Sequence, residues 1–254
     1  MEEIKINGIS LAYDRCGQGT PIILIHGYPL DHVVWGEIAA LLNGTFDVIT
    51  PDLRGFGQST IVDSPYTIDD MAADLAGVLD HLGVEKTLIA GHSMGGYVAL
   101  SFARSYSNRV LGLGMVSSQA IADSPERKRG RYDTATQVAE KGVGIVADAM
   151  TAKLSADAGI QAFLRPLIER QSPGGIIGAL RAMAERPDST FVLRSFKFPM
   201  VIVHGDADQL IPVERARDMK AVYPRAHLVE LSNVGHMPMM EAAEKTAEAL
   251  LLMR

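Results

Sequence analysis

The chain has 254 residues, 47% hydrophobic and 21% charged, which is enough apolar side chain for a large core and excludes a disordered or fibrous protein. At ~150 residues per domain this length allows one or two domains. Against 24 Lys and Arg stand 30 Asp and Glu, a net charge of −6 whose field repels phosphate backbones and anionic lipid, so neither nucleic acid nor a membrane surface is expected as a partner. Cys16 is the single cysteine, which excludes an internal disulfide and a Cys-rich zinc site. The start, Met1 to Gly8, lacks a basic segment leading into an apolar one, and no apolar run approaches the ~18 residues that span a bilayer. A cytoplasmic, reducing location is expected.

Asn7-Gly8 stands between the short alternating runs of Ile4, Ile6 and Ile9, Leu11, and this dipeptide tolerates the positive φ of a two-residue turn, so the chain should open with an antiparallel hairpin. Nearly continuous apolar runs follow at 21–25, 47–50, 87–90, 110–116, 200–203 and 227–231. They read as strands covered on both faces. Helical patterns over roughly 33–43, 67–82, 94–107, 213–222 and 239–253 alternate with them. The alternation predicts an α/β fold with a doubly wound, mostly parallel sheet. Residues 119–195 hold no strand pattern, only helical ones such as 143–154 and 176–184, punctuated by Pro125, Pro166, Pro173 and Pro187. We read them as a helical insertion over the strand ends, with 1–118 and 196–254 forming one core domain. Arg127-Lys128-Arg129-Gly130-Arg131 sits near its start. In an acidic chain without interleaved aromatics, such a run is expected to be a solvated helix face rather than an anion-binding patch.

Gly91-His92-Ser93-Met94-Gly95 lies between the strand at 87–90 and the helix at 94–107. A G-x-S-x-G in that context projects its serine hydroxyl from a sharp strand-to-helix turn. The helix N-terminus there favours an oxyanion. A serine is a weak nucleophile and needs a base held by an acid. Of seven histidines, His26, His92 and His204 read as residues that shape strand ends, and His32, His81 and His227 show no special setting. His236 follows Gly235 in the polar loop after the last strand, where a base can reach a neighbouring strand's end. The acid is Asp206 or Asp208, both beyond the strand at 200–203. The order serine, aspartate, histidine is that of the α/β-hydrolases, not of chymotrypsin or subtilisin. Backbone N–H groups of Met94 and, beside Gly27, of Tyr28 are candidates for an oxyanion hole.

These motifs, with Tyr28-Pro29-Leu30, Asp52-Leu53-Arg54-Gly55-Phe56-Gly57-Gln58-Ser59, Gly96 and the Gly205 to Pro212 segment, resemble the α/β-hydrolase superfamily nearly end to end, in the branch of small cofactor-free serine esterases, lactonases and perhydrolases. The resemblance implies a triad of Ser93, Asp208 and His236, an oxyanion hole of Tyr28 and Met94, a cap at 119–195, and neither metal nor cofactor. It implies a carboxylic ester hydrolase acting on a small-molecule ester or lactone, with perhydrolysis or lactone hydrolysis as alternative main activities. A non-catalytic ligand receptor on the same fold is the rival class. Ser93 argues against the dehalogenases and epoxide hydrolases, which use an aspartate nucleophile, and His26-Gly27-Tyr28-Pro29 departs from the His-Gly-Gly-Pro-Gly of proline iminopeptidases. Trp35, Met94, Met237, Met239 and Met240 are candidate pocket walls, with core packing as the alternative for the methionines.

Overall fold

The computed structural model describes residues 1–62 and 64–254. Strands β1 (Glu2–Ile6) and β2 (Ile9–Gly17) form the expected hairpin, with Asn7 at φ +49° and Gly8 at φ +81° in its turn. The remaining strands are β3 (Thr20–Ile25), β4 (Phe46–Pro51), β5 (Thr87–His92), β6 (Val110–Val116), β7 (Met200–Gly205) and β8 (His227–Leu231). They build one eight-stranded sheet in the order β1-β2-β4-β3-β5-β6-β7-β8. Only the β1–β2 and β2–β4 pairings are antiparallel. Every residue of β4, β5 and β7 is buried, because helices cover both faces, which is why these strands read as apolar runs without alternation. β5 and β7 each extend two residues beyond their apolar runs: Gly91 and His92 pair with Met115 and Val116, and His204 and Gly205 with Glu230 and Leu231. Backbone pairing does not depend on apolar side chains, so these ends carry no hydrophobic signal.

Helices α1 (Gly36–Leu42), α2 (Ile68–His81) and α3 (Met94–Ser105) alternate with the first strands. Between β6 and β7 come α4 (Pro125–Lys141), α5 (Gly144–Leu154), α6 (Ala158–Glu169), α7 (Pro173–Glu185) and the short α8 (Thr190–Leu193). Two of the prolines in this region are helix starts. Pro125 and Pro173 occupy first turns behind Ser124 and Ser172, whose hydroxyls accept from the N–H groups of Arg127 at 3.2 Å and Gly175 at 2.9 Å. A proline costs nothing there, since its missing N–H has no partner in a first turn. The chain ends with α9 (Glu214–Val222), α10 (Pro238–Glu241) and α11 (Ala243–Leu251). The single helix expected over 239–253 is thus broken, at Ala242 with φ −150° and ψ 55°. Among the described residues no helix is long and apolar enough to cross a membrane.

β3 has β4 on one side and β5 on the other, so the winding reverses between β3 and β5. In open α/β sheets ligands bind at such a reversal, outside the carboxyl ends of the strands. The loop after β3 carries Tyr28 and the turn after β5 carries Ser93.

Candidate active site

Ser93 has φ +51° and ψ −114°, a conformation that costs a residue with a Cβ roughly 1–3 kcal/mol. Its surroundings hold it there. The Ser93 N–H donates to Val116 O at 2.9 Å and Gly96 N–H to Ser93 O at 3.0 Å, and the Ser118 hydroxyl donates to the same Ser93 O at 2.7 Å. Any Cβ on Gly95 would collide with the carbonyls of Ile25 and His26, so the tight approach of α3 to β3 requires glycine. Met94 opens α3, where a helix leaves its first N–H groups without intrahelical partners. Tyr28 lies in the turn closed by Leu30 N–H on Gly27 O at 2.9 Å.

The carboxylate that reaches His236 belongs to Asp208. Asp208 Oδ2 accepts from His236 Nδ1 at 2.7 Å and faces His204 Nε2 at 3.3 Å, while its Oδ1 accepts the N–H groups of Leu210 at 2.8 Å and Ile211 at 3.0 Å. Asp206 instead accepts Asn233 N–H at 2.7 Å, tying the ends of β7 and β8 together. Burial alone would raise the Asp208 pKa, but the charge of His236 and the hydrogen bonds from His204, His236 and Ile211 outweigh it and hold the carboxyl far below the usual range. Asp208 is ionised at any ordinary pH. With Nδ1 engaged, the Nε2 of His236 is the free ring atom, and His236 and Ser93 line the same cavity.

Several supporting residues were not singled out by sequence reasoning or were given smaller parts. Glu241 accepts the N–H groups of both neighbours of His236, Gly235 at 2.8 Å and Met237 at 3.0 Å, so α10 clamps the histidine loop. His92 Nε2 donates to His236 O at 2.8 Å. Its burial and the nearby His236 push its pKa well down, which keeps the ring neutral. His26 accepts Leu53 N–H on Nε2 at 3.0 Å and faces Gly27 O with Nδ1 at 3.0 Å, joining the loops after β3 and β4. His204 faces Ile211 O at 2.8 Å and so steadies the Asp208 loop as well as the strand end.

The cavity over Ser93 measures about 430 Å³. Its apolar wall comes from α5 and α7, with Ile145, Val146, Met150 and Leu180, and from Leu210 and Ile211 beyond Asp208. The expected walls Trp35 and Met237 do not line it: both are fully buried core residues. The side chain of Met94 is fully buried too. Their motifs placed these backbones near the site, but their side chains point into the packed interior. The basic run is a correction as well. Arg127, Gly130, Arg131 and Thr134 line the cavity from α4, a spacing of three and four that puts them on one helix face. Lys128 and Arg129 pair with Glu185 at 2.6 Å and Glu126 at 3.3 Å, outside it.

His32, given no special setting from sequence, sits against a buried carboxylate. Asp52 accepts from His32 Nδ1 at 2.7 Å and from its N–H at 2.9 Å. Burial disfavours the His32 cation, yet the hydrogen bond and charge of Asp52 win, and its pKa is raised above 6.5. A raised histidine adds stability that is complete below its unfolded pKa and lost as the pH climbs through its folded one. The thermal midpoint of the wild type should therefore fall relative to that of His32→Gln as the pH climbs from about 6 through the raised folded pKa of the ring. Parallel midpoints would show a neutral hydrogen bond only. Asp31, His32 and Asp52 are also the one group among the described residues close enough to hold a metal ion. Asp31, however, is taken by Arg170 Nη2 at 2.7 Å and Gln171 Nε2 at 3.0 Å, so that group is an internal charge network.

A doubly wound sheet with a strained serine at the reversal point, and in the same cavity a histidine held from behind by an aspartate, defines a hydrolase of the α/β class. The chain belongs to the alpha/beta hydrolase family, whose model matches residues 22–249. It is 37% identical to a thermophilic esterase from Thermogutta terrifontis, solved with malate bound, with a TM-score of 0.95 over 99% of this chain and 97% of that one. It is 29% identical over 250 residues to the AB hydrolase superfamily protein YisY of Bacillus subtilis, covering 93% of this chain and 92% of the relative. The fold is also that of an enol-lactonase from Burkholderia xenovorans, with 23% identity and a TM-score of 0.91 over 98% of both chains.

Proposed function

We propose that this hydrolase cleaves carboxylic esters or lactones of small to medium acyl size through an acyl-enzyme. The observation that carries the reading is the 2.7 Å contact of His236 Nδ1 with Asp208, which leaves Nε2 in the cavity of Ser93. His236 takes the Ser93 proton as Oγ adds to the ester carbonyl, and Asp208 holds the ring and stabilises its cation. The carbonyl oxygen, now anionic, is received by the N–H groups of Tyr28 and Met94. Collapse expels the alcohol, which takes the proton from His236. Water then adds to the acyl-enzyme with His236 as base, releasing the acid and restoring Ser93. Residues 119–195 act as the cap of a core formed by 1–118 and 196–254. The resemblance to the Thermogutta terrifontis esterase supports ester chemistry.

A panel of 4-nitrophenyl esters graded by acyl length, with lactones alongside, tests this. Turnover with a burst of nitrophenol equal to the enzyme present is expected on at least one aryl ester. Substrates bound without any turnover would instead favour a ligand receptor.

A further inference from the structure

Arg127, Arg131 and Lys153 line the cavity that holds Ser93 and His236, and among the described residues no carboxylate lines it. The countercharge behind the wall is Asp123, whose side chain is fully buried. Arg131 bonds it through Nε and Nη2, and Arg186 through Nη1 at 2.9 Å. Arg186 is otherwise absorbed by the carbonyls of Met183 at 2.7 Å and Ile121 at 2.9 Å, and by the ring of Tyr97 at 4.0 Å; the carboxylate of Asp188 also feels its charge. Arg127 is held more loosely, its Nε 3.6 Å from the Asp123 carboxylate that Arg131 and Arg186 share and its Nη2 3.5 Å from Leu210 O. Lys153 is exposed at the mouth. In an acidic chain, a cleft of this sign focuses anions.

A second observation points the same way. The hydroxyl of Tyr28 is buried and has no hydrogen-bond partner, although the residue is only 7% exposed and lines the cavity. Its burial raises its pKa, against the opposing charge of Arg131, so it stays a donor. Arg131 Nη1 meets only the sulfur of Met183, at 3.3 Å. Strong donors of this kind are paired in native structures, and an acceptor brought by a ligand would complete them.

Building on the esterase reading, we propose that the substrate carries a second, ionised carboxylate, as in a half-ester of a dicarboxylic acid, which accepts from the Tyr28 hydroxyl, Arg131 and Arg127. The methylene spacer lies along Ile145, Val146, Met150 and Leu180. Guanidinium suits this task because its planar fork matches a carboxylate.

The test compares ethyl hydrogen glutarate with ethyl valerate, which differ in a terminal carboxylate, and repeats the comparison with the succinate and adipate half-esters. For the best half-ester, kcat/KM should exceed that of its neutral counterpart by about tenfold or more, with the advantage shrinking as salt is added. Arg127→Ala and Tyr28→Phe should each lower the half-ester to neutral-ester ratio about fivefold or more, and Arg127→Lys, which keeps the charge but not the fork, should retain only part of it. No advantage in the wild type, or ratios that neither Arg127→Ala nor Tyr28→Phe moves by as much as about twofold, overturns the proposal. If no ester of any kind is hydrolysed, the esterase reading is what fails. Calorimetry of ethyl hydrogen glutarate with Ser93→Ala then decides the subsite separately: binding that weakens when Arg127→Ala is added supports it, and binding no tighter than that of ethyl valerate removes it.

Discussion

Ser93→Ala should lower kcat on every ester the protein hydrolyses by about 10⁴-fold or more, while the folded protein persists. The loss is large because the covalent route disappears entirely. Water must then attack directly, and only binding and the proposed oxyanion donors at Tyr28 and Met94 remain to help, an arrangement that typically retains a residual 10³–10⁴ over the uncatalysed reaction. Stability should change little, since the elbow is held by backbone bonds from Ser93 N–H and to Ser93 O and by the Ser118 hydroxyl, none of which uses Oγ. Steady-state rates paired with a thermal melt read both outcomes. A variant that melts like the wild type and still turns over at the wild-type rate would remove Ser93 from the chemistry.

Asp208→Asn should lower kcat by about 10⁴-fold, and Asp206→Asn by no more than about threefold. The two residues stand two positions apart, but only Asp208 touches His236. An asparagine there would still accept the Leu210 and Ile211 N–H groups on Oδ1, but it would turn its NH₂ toward Nδ1. The ring would then carry its proton on Nε2, facing the cavity, and could not accept one from Ser93. His204, at 3.3 Å from Oδ2, would lose its carboxylate as well. Because Asp208 is held ionised far below the usual carboxylate range, loss of activity in mild acid should not come from its protonation. A reversed ranking of the two variants in kcat would move the acid to Asp206.

The legible parts of this site are those whose function depends on backbone. The strand before Ser93, the helix after it and the glycines at 91 and 95 leave a local signature because the turn is built within a few residues. Sequence reasoning singles out His236 by elimination, through its position in a polar loop after the last strand. The choice between Asp206 and Asp208 rested on family resemblance, since both follow the same strand and only the direction of the side chain separates them. Glu241 was missed although it binds both neighbours of His236. Its one signal was an acid at the start of a helical pattern, which also describes an ordinary first-turn carboxylate. The Arg127, Gly130, Arg131 and Thr134 face carried a readable spacing of three and four. What the spacing lacked was a direction, because a charged helix face looks alike whether it meets solvent or a cleft.

The sequence alone determined most of the order of strands and helices and the class of fold, and it nominated Ser93 and His236 for the proposed chemistry. These follow from periodicity, turn residues and short motifs, all of them local properties of the chain. The tertiary structure decided which side chains occupy the cavity. Trp35 and Met237 were expected there and pack inside the core, while α4, α5 and α7 supply the walls. It also placed one buried carboxylate, Asp123, behind Arg127, Arg131 and Arg186, though these positions span more than 60 residues of chain. The physical reason is that side-chain direction and charge balance at a cleft depend on how helices far apart in sequence dock over the sheet, and no local pattern encodes that docking.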